Sequence, residues 1–252
     1  MTKIILSGCC GSMGKVVTSC VAEEPDFKIV AGIDKASAEE ASASYPVFQR
    51  AEDIDVEADV LIDFSNPSLL PSLLNFGEST KTPLVLCTTG YSRDQVATLE
   101  KASEIIPVFY SGNMSLGVNL LIELAKRAAK VLGSRFDIEI IEKHHNRKID
   151  APSGTALMIA DGVSSALNSE MHYVYDRHSR RKPREKNEIG IHSIRAGTIV
   201  GEHDVIFAGP QEVLTISHSA QSRDIFALGA IHAAVFLVGK SHGLYNMSNL
   251  LN

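Results

Sequence analysis

The chain has 252 residues, a hydrophobic fraction of 44% and a formal net charge of −6. A chain of this length can bury a large core, either in one large domain or in two smaller ones. The negative charge argues against general nucleic-acid binding, and no apolar run reaches the roughly 18 residues that span a bilayer.

The cysteine content indicates a reducing compartment. Four cysteines all fall in apolar strand, helix or turn contexts: Cys9, Cys10, Cys20 and Cys87. Four in a chain of this size do not make a disulfide framework, so we interpret them as reduced cytosolic thiols that serve mainly as packing residues. The first three residues lead directly into a predicted strand, so we expect no signal peptide and a cytoplasmic location.

A strand, a glycine-rich turn and a helix are predicted at the start of the chain. The apolar strand at residues 3–7 runs into GCCGSMG at residues 8–14, and the helix that follows ends before Pro25. A second strand at residues 27–33 is followed by Asp34. This is the dinucleotide-binding arrangement: glycines permit a tight turn, the helix N-terminus receives the pyrophosphate and the acid binds the ribose. The GxxGxxG spacing is one residue longer than the commonest form, so a glycine-rich turn of another α/β protein is the alternative.

Strands and helices continue to alternate up to residue 110. Strands are predicted at residues 59–64, 83–87 and 106–110, and the helices between them begin near Asn66 and Ser92. The alternation predicts an α/β fold with a parallel, doubly wound sheet, in which ligands bind at the carboxyl ends of the strands. Five turns would line that edge: Gly8, Asp34, residues 63–65, residues 87–89 and residues 111–114.

The pattern changes after residue 115. A long helix at residues 116–132 leads into a strand at residues 136–140, and residues 189–219 read as consecutive strands separated by glycine turns. The last long helix, at residues 223–240, is apolar enough to pack back on the first sheet. We therefore predict two domains: residues 1–114 with 223–252, and residues 115–222.

A basic stretch lies between the predicted helix and strands of the second domain. Residues 177–186 include five arginines and lysines besides Arg177 itself. We interpret the stretch as a solvated, mobile loop. Steering of an anionic ligand is the alternative.

The sequence EKHHNRKIDAPSGTAL at residues 142–157 is the densest group of chemically active side chains. Alternating apolar residues precede it and helically spaced apolar residues follow it, so it connects a strand to a helix. Asp150 can cap that helix, with Pro152 near its first position. The amides of the next three residues would then face outward from the helix N-terminus and favour an anion: Ser153, Gly154 and Thr155.

Positive charge and protons are available just before that turn. His144, His145 and Lys148 lie upstream of it, and the hydroxyls of Ser153 and Thr155 add donors. Such a site suits a small carboxylate or phosphate that must be bound and protonated. The alternative is a strand end with solvated basic residues and an ordinary capped helix.

Seven motifs together resemble the dihydrodipicolinate reductase family. They are EKHHNRKIDAPSGTAL, the glycine turn at 8–14, DFS at 63–65, TTG at 88–90, SGNMSLGVN at 111–119, IRAG at 194–197 and HSAQSRDIFALGA at 218–230. The HHxxKxDAPSGTA string is highly specific, whereas the glycine turn is not. The motifs span essentially the whole chain.

The resemblance implies a fold and an activity. The fold is an N-terminal Rossmann domain plus a C-terminal α+β domain with an open mixed sheet. The activity is the reduction of 4-hydroxy-tetrahydrodipicolinate to tetrahydrodipicolinate, in lysine and diaminopimelate biosynthesis, with NADPH or NADH. The resemblance also implies that residues 115–222 bind a small dicarboxylate and pair the chain into a homotetramer.

The resemblance further implies roles for the residues of the strand-to-helix connection. His144 is the acid/base, Lys148 is the proton donor and His145 contacts substrate. Gly154 and Thr155 hold a substrate carboxylate, at the helix terminus to which Ser153 also belongs.

Cofactor contacts are expected on the turns of the first domain. They are Gly8, Cys9, Cys10, Gly11, Ser12, Met13, Asp34, Lys35, Cys87, Thr88, Thr89, Ser111, Gly112, Asn113 and Met114. Many family members have arginine where this chain has Ser12, which weakens a charge contact, and glycine where it has Cys87, which crowds the nicotinamide-side loop. Asp34 favours NADH, while Lys35 can reach a 2′-phosphate, so we expect both cofactors to be accepted.

Three other functions stay open at this point. Another Rossmann reductase would keep the glycine turn without needing HHxxK before PSGT. A dinucleotide sensor would bind NAD(H) without turnover. A metal hydrolase could use His144, His145 and Asp150, but adjacent histidines are not the usual ligand spacing on one face, so we expect no metal.

Overall fold

The structure is a computed structural model that describes residues 1–36, 43–167 and 170–251. The chain divides into two compact units: unit 1, residues 1–116 with 223–252, and unit 2, residues 117–222. No helix of the described chain is long and apolar enough to cross a membrane.

The helices and strands follow in chain order. Those up to residue 110 are β1 (Thr2–Ser7), α1 (Ser12–Ala22), β2 (Phe27–Ile33), β3 (Val47–Phe48), β4 (Val60–Asp63), α2 (Leu70–Thr80), β5 (Leu84–Leu86), α3 (Arg93–Ala102) and β6 (Pro107–Tyr110). The next are α4 (Leu116–Leu132), β7 (Asp137–His144), α5 (Gly154–Leu167), β8 (His172–Val174), β9 (Glu188–Arg195), β10 (Gly201–Ala208) and β11 (Val213–Ala220). The chain then returns to unit 1 with α6 (Asp224–Leu237), β12 (Gly243–Tyr245) and α7 (Met247–Leu251).

Unit 1 is a Rossmann-type layer of parallel strands. Within the described residues its sheet has seven strands in the order β12-β6-β5-β4-β1-β2-β3, and every recorded pairing is parallel. The central strands are continuous apolar runs because helices cover both faces of such a sheet. The chain leaves β1 toward β2 on one side and returns to β4 on the other. This reversal is where doubly wound sheets bind ligands.

Helices on the two faces of this sheet build two separate cores. On one face Val17 of α1 packs with Ala230 and Ala234 of α6, so the last long helix packs on the first sheet. On the other face Leu73 of α2 and Leu99 of α3 pack on the strands.

Unit 2 contains a mixed sheet that is covered on one face only. Its order within the described residues is β11-β10-β7-β9-β8; β7, β9 and β8 pair in parallel, whereas β10 is antiparallel to both of its neighbours. Alternate residues of β7, β9 and β10 are buried against α4 and α5, among them Ile140, Ile191 and Val205. Within the described part of the chain no helix packs on the opposite face, and the mixed sheet confirms the expected fold class.

Two local expectations are wrong. The strand predicted at residues 136–140 continues to His144, so the first histidine lies on the strand itself. Asp150 does not cap α5: the helix begins at Gly154, and the Oγ of Ser153 accepts a hydrogen bond from the amide of Ala156 at 3.1 Å. Ser153 therefore occupies the N-cap position, three residues before the amide that it satisfies.

The basic stretch is mostly exposed, as expected for a solvated loop, but two of its arginines contact the sheet. Arg177 donates to Glu188 at 2.5 Å, and Arg184 donates to Asp137 at 2.5 Å and to the carbonyl of Glu188 at 2.7 Å. The Arg184 side chain is 18% exposed. These two arginines attach the loop to β7 and β9, and the mobility of the stretch stays a prediction.

Candidate active site

The glycine turn after β1 has no room for side chains at two positions. Gly8 has a φ of +77°, and a Cβ there would lie 2.6 Å from the carbonyl oxygen of Phe64. A Cβ on Gly14 would lie 2.2 Å from the carbonyl oxygen of Gly8. The helix α1 starts directly after Gly11, which gives it no side-chain cap, and its first turn carries no acid. The amides at the start of α1 are hydrogen-bond donors, and the glycines let the backbone of the turn pack closely. Both features fit the pyrophosphate of a dinucleotide.

Asp34 is tied to the same turn. Its Oδ2 accepts a hydrogen bond from the amide of Cys10 at 3.0 Å, and its Oδ1 accepts one from the amide of Ala36 at 3.3 Å. The carboxylate is half-buried and Lys35 beside it is exposed. A carboxylate offers about four acceptor positions, so Asp34 retains capacity for ribose hydroxyls.

A guanidinium lies beside Ser12, a position that carries no charge of its own. Arg223, the residue before α6, donates from Nη1 to the Oγ of Ser12 at 3.2 Å. Sequence reasoning missed this arginine because 211 residues separate it from Ser12. The charge contact that Ser12 was expected to weaken is therefore partly restored, because Arg223 brings a cation to the N-terminus of α1.

The two adjacent thiols of the turn stay protonated because their pKa values are raised. Burial raises the pKa of Cys9 to about 12, with a further contribution from the neighbouring Cys10. Burial also raises the pKa of Cys10, and burial raises that of Cys87 well above its usual range. All three are neutral thiols at physiological pH.

A buried carboxylate links the turns after β4 and β5. Asp63 is 0% exposed. It accepts hydrogen bonds from the amide and hydroxyl of Ser65 and, at 2.7 Å, from the hydroxyl of Thr88. Thr88 is thus buried and engaged within the protein, whereas Thr89 is exposed.

The turn after β6 is closed by its own polar groups. The hydroxyl of Ser111 donates to the carbonyl of Asn113 at 2.8 Å, and the Asn113 side chain accepts from the amide of Ser115 at 2.9 Å. Met114 is buried, while Gly112 is exposed. Of the residues expected to contact cofactor on these two later turns, Thr89 and Gly112 are the exposed ones.

In unit 2 an ion pair with a fully buried carboxylate lies behind His144; the Arg195 side chain of the pair is 19% exposed. Glu142 is 0% exposed, and Arg195 of β9 donates to both of its oxygens at 2.8 Å. Burial alone would raise the pKa of Glu142, but hydrogen bonds from Arg195, Ser193 and His144 bring it down to about 2. Glu142 is therefore a carboxylate at every physiological pH.

Glu142 fixes which nitrogen of His144 is available. Its Oε2 lies 2.6 Å from Nδ1 of His144, and an ionised carboxylate can only accept, so Nδ1 carries a hydrogen. The remaining nitrogen, Nε2, faces Gly201, where a Cβ would approach it to 3.2 Å. Burial lowers the pKa of His144, while the hydrogen bond to Glu142 opposes that shift. His144 is thus an oriented, mainly neutral imidazole at neutral pH.

Ser153 forms hydrogen bonds to other residues of unit 2. It is 2% exposed, and its amide donates to Glu142 Oε1 at 3.2 Å. Its hydroxyl lies 2.9 Å from Nε2 of His203 on β10. Burial, with a contribution from nearby His144, lowers the pKa of His203 to about 4, so His203 is neutral at physiological pH. The amide and hydroxyl expected to face a ligand instead tie the start of α5 to β7 and β10.

Lys148 has an exposed partner. Its Nζ lies 2.8 Å from Oδ1 of Asp150, whose side chain is 61% exposed, whereas the Lys148 side chain is 20% exposed. The hydrogen bond from Lys148 lowers the pKa of Asp150. An ion pair with one solvated partner contributes about 0–1 kcal/mol, so a competing carboxylate can displace Asp150 at small cost.

The structure brings several predicted substrate residues to one end of β7. His144 ends the strand, the amide of Lys148 donates to the carbonyl of His145 at 3.1 Å, and Gly154 and Thr155 open α5. Gly154 is exposed, with open space where a Cβ would be. Sequence reasoning gave no role to Glu142, Arg195 or His203.

A signal for Glu142 and Arg195 was present in the strand periodicity. Glu142 falls in the same alternation as Ile138 and Ile140, and Arg195 in that of Ile191, so both occupy positions on the covered face of the sheet. A charge at such a position needs a buried partner of opposite sign.

Comparisons with known proteins cover both units. A family model described as "Dihydrodipicolinate reductase, N-terminus" matches residues 2–114, and one described as "Dihydrodipicolinate reductase, C-terminus" matches residues 117–251. A relative named 4-hydroxy-tetrahydrodipicolinate reductase, from Caldanaerobacter subterraneus subsp. tengcongensis, is 53% identical over 251 residues, which is 100% of this chain and 98% of the relative. One of the same name from Clostridium botulinum is 50% identical, with the same shares.

Solved structures show the same fold. A dipicolinate-bound dihydrodipicolinate reductase from Paenisporosarcina sp. TG-14 superposes with a TM-score of 0.82 at 25% identity, over 98% of this chain and 97% of that one. The WlbA dehydrogenase from Bordetella pertussis, in complex with NADH and UDP-GlcNAcA, gives a TM-score of 0.63 at 16% identity, over 99% of this chain and 92% of that one. The second likeness concerns the fold alone.

Proposed function

The chain belongs to the dihydrodipicolinate reductase family, and from this premise we propose that it reduces 4-hydroxy-tetrahydrodipicolinate to tetrahydrodipicolinate with NADPH or NADH. The observation that carries the proposal is the 53% identity to a relative of that name along the whole chain. The reaction belongs to lysine and diaminopimelate biosynthesis, and we place it in the cytoplasm.

For the cofactor, we propose that the turn at residues 8–14 holds the pyrophosphate and Asp34 holds the ribose. The close backbone at Gly8 and Gly14 and the uncapped start of α1 support this role. Reduced nicotinamide, when bound, supplies a hydride. Lys35 and Arg223 are the cations available to offset the negative charge of a 2′-phosphate beside Asp34.

For the substrate, we propose that one carboxylate binds at the start of α5, on Gly154 and Thr155. The helix N-terminus favours an anion there, and the exposed Gly154 lets it approach. Lys148 binds a carboxylate by exchanging its solvated partner Asp150 for the ligand. His145 adds a contact from the same loop.

For proton transfer, we propose that Lys148 is the donor and that His144 acts as acid/base through Nε2. Because Glu142 holds the hydrogen of Nδ1, Nε2 is the atom at which His144 gives or takes a proton. A cation at Lys148 also offsets the negative charge that builds on the ring as hydride arrives.

Glu142 and Arg195 are positioning residues in this scheme. Glu142 touches both His144 and the start of α5, through the 2.6 Å contact to Nδ1 and the 3.2 Å contact from the Ser153 amide. One buried carboxylate thus fixes both the imidazole and the helix terminus. Arg195 neutralises that carboxylate and keeps it ionised.

We further propose a homotetramer that pairs through the open face of the unit 2 sheet. That face carries exposed apolar residues, with Val213 64% and Ile194 44% exposed, beside the ion pairs of Lys143 with Glu202 and Asp204. A sheet face that combines exposed apolar residues with ion pairs is compatible with a subunit interface, which mixes apolar and polar contacts. Light scattering that gives a single monomer of 27.2 kDa, at concentrations used for assay, would contradict this part.

The test of the activity is a turnover assay. The purified protein is mixed with NADPH or NADH and with enzymatically generated 4-hydroxy-tetrahydrodipicolinate, and nicotinamide absorbance is followed. We expect substrate-dependent loss of reduced nicotinamide and formation of tetrahydrodipicolinate. Cofactor binding without turnover would identify a dinucleotide sensor, and turnover of another carboxylated substrate alone would identify a different reductase.

A further inference from the structure

A cluster of metal-ligating side chains lies in unit 1. Among the residues that the structure describes, Cys9, Cys10 and Asp34 are the one group of three whose ligand atoms all lie within 4.8 Å of one another. We propose that these residues bind a soft divalent metal ion of the Zn²⁺ or Cd²⁺ type, and that the bound ion excludes the dinucleotide.

The two sulfurs already have the separation of a metal-bound pair. The Sγ atoms of Cys9 and Cys10 lie 3.7 Å apart. Zn–S bonds of about 2.3 Å in tetrahedral geometry place two sulfurs roughly 3.8 Å apart. Binding an ion therefore requires little movement of the turn.

The surroundings hold the three ligands in place. Asp34 is fixed by the amides of Cys10 and Ala36. A Cβ on Gly32 would lie 2.5 Å from Sγ of Cys9, so the glycine provides the space that the sulfur occupies. Cys10 is half-buried, which leaves the cluster open to an entering ion on that side.

The donor set selects the kind of ion. Two thiolates and one carboxylate suit Zn²⁺ or Cd²⁺ and disfavour Mg²⁺ and Ca²⁺, which take oxygen ligands. Each cysteine releases its thiol proton to solvent as its sulfur binds the ion, so one ion displaces two protons. Water completes the fourth position.

Exclusion of the cofactor follows from shared residues, and this part rests on the proposed function. The carboxylate that would bind ribose is the one that binds the ion, and the thiols belong to the turn proposed for the pyrophosphate. Each ligand must then weaken the other by the same factor.

The binding test uses the full-length, reduced protein and Cd²⁺. Titration is followed by the thiolate-to-cadmium absorption in the ultraviolet. We expect one Cd²⁺ per chain, at least about tenfold weaker binding in Cys10→Ser and in Asp34→Asn, and unchanged binding in Cys20→Ser. Cys20 is the matched control because it is a half-buried thiol on α1 outside the cluster. Affinity that is unchanged in Cys10→Ser, or lost equally in Cys20→Ser, would overturn the site. Asp34→Asn keeps the test valid if the cysteine variant misfolds.

The competition test separates the two proposals. NADH binding is first measured by fluorescence on metal-free protein, and its failure there contradicts the proposed function alone. NADH affinity is then measured with Cd²⁺ present; a decrease of at least tenfold that disappears in Cys10→Ser supports the exclusion. Full NADH affinity with Cd²⁺ bound would overturn the exclusion.

Discussion

The glycine turn of unit 1 and the site at the end of β7 in unit 2 are built in opposite ways. The latter, the strand-end site, comprises Glu142, His144, Lys148, Ser153, Arg195 and His203. The turn consists of consecutive backbone between residues 8 and 14, with glycine where a Cβ would collide. The strand-end site depends on side chains far apart in sequence: Glu142 and Arg195 are 53 residues apart, and Ser153 and His203 are 50 residues apart. Amides suffice to bind a phosphate, whereas proton transfer needs oriented, titratable side chains.

The two regions also treat charge differently. The turn presents amide dipoles and the half-buried Asp34, whereas the strand-end site places an ion pair with a fully buried carboxylate behind His144. A buried pair is weak support for stability, but removal of one partner leaves an uncompensated charge. We infer that the pair of Glu142 and Arg195 serves to orient His144.

The largest effect is expected for Glu142→Gln. The substitution leaves the Arg195 guanidinium without its carboxylate; because that side chain is 19% exposed, we expect a loss of roughly 3 kcal/mol of unfolding free energy, the lower end of the range for breaking a buried pair. Glu202→Gln is the control, because that carboxylate pairs with Lys143 near the surface and should cost below about 1 kcal/mol. Urea unfolding of both variants measures the two losses, and equal losses would mean that the buried pair has no special role.

The same pair predicts how the wild-type protein responds to acid. The folded pKa of Glu142 is about 2, below its ordinary value of 4.5, so its contribution is complete above pH 4.5. That contribution is lost as the pH falls from 4.5 toward 2, because the unfolded state then binds the proton more readily. Unfolding free energies measured over this range should fall more steeply for the wild type than for Glu142→Gln. Parallel curves would contradict the depressed pKa.

Loss of the proton-transfer groups should affect turnover more than cofactor binding. We expect Lys148→Ala and His144→Ala to lower kcat about a hundredfold or more, as for other positioned acids and bases, with NADH Kd changed little. Lys143→Ala is a control on the same strand, since Lys143 pairs with Glu202 and Asp204 instead. Near-normal turnover in both variants would contradict the proposed roles of Lys148 as proton donor and His144 as acid/base.

A smaller effect is expected at the start of α5. Thr155→Val keeps the shape and the amide but removes a hydroxyl donor to a carboxylate, an interaction of roughly 1.5–3 kcal/mol. Steady-state kinetics should show a substrate KM raised about tenfold or more and a kcat changed less. Unchanged KM and kcat would mean that this helix terminus is only structural.

The smallest effect concerns the choice of cofactor. Lys35→Ala should raise the KM for NADPH about fivefold, the size of an exposed ion pair, and leave that for NADH nearly unchanged. Arg223 at Ser12 limits the loss, so the double variant with Arg223→Ala should lose more NADPH affinity than Lys35→Ala alone. An equal effect of Lys35→Ala on both cofactors would show that Lys35 does not meet the 2′-phosphate.

The two regions were not equally accessible from sequence. The turn, its strand and its helix could be predicted because the constraint is local: a tight turn needs glycine at fixed spacing. The fold class and the family were also confirmed, by the sheet orders and by the full-length matches.

The partners within the strand-end site could not be predicted in the same way. Asp150 was taken as a cap because it precedes Pro152, but the Ser153 hydroxyl reaches the amide of Ala156 and Asp150 pairs with Lys148 instead. Arg223 at Ser12 depends on how the last helix returns to the first sheet. Local sequence does not fix a contact between residues 211 apart, and within residues 150–156 more than one side chain could have capped the helix.

The central claim is that the glycine turn binds the cofactor and the strand-end site binds the substrate. It is tested most directly by two dissociation constants measured on two variants. NADH is titrated alone, and dipicolinate, the ligand of the Paenisporosarcina relative, is titrated at saturating NADH. We predict that Lys148→Ala weakens dipicolinate about tenfold or more and leaves NADH within about twofold, and that Asp34→Ala does the reverse. Loss of both ligands in both variants, or an exchange of the two effects, would contradict the assignment.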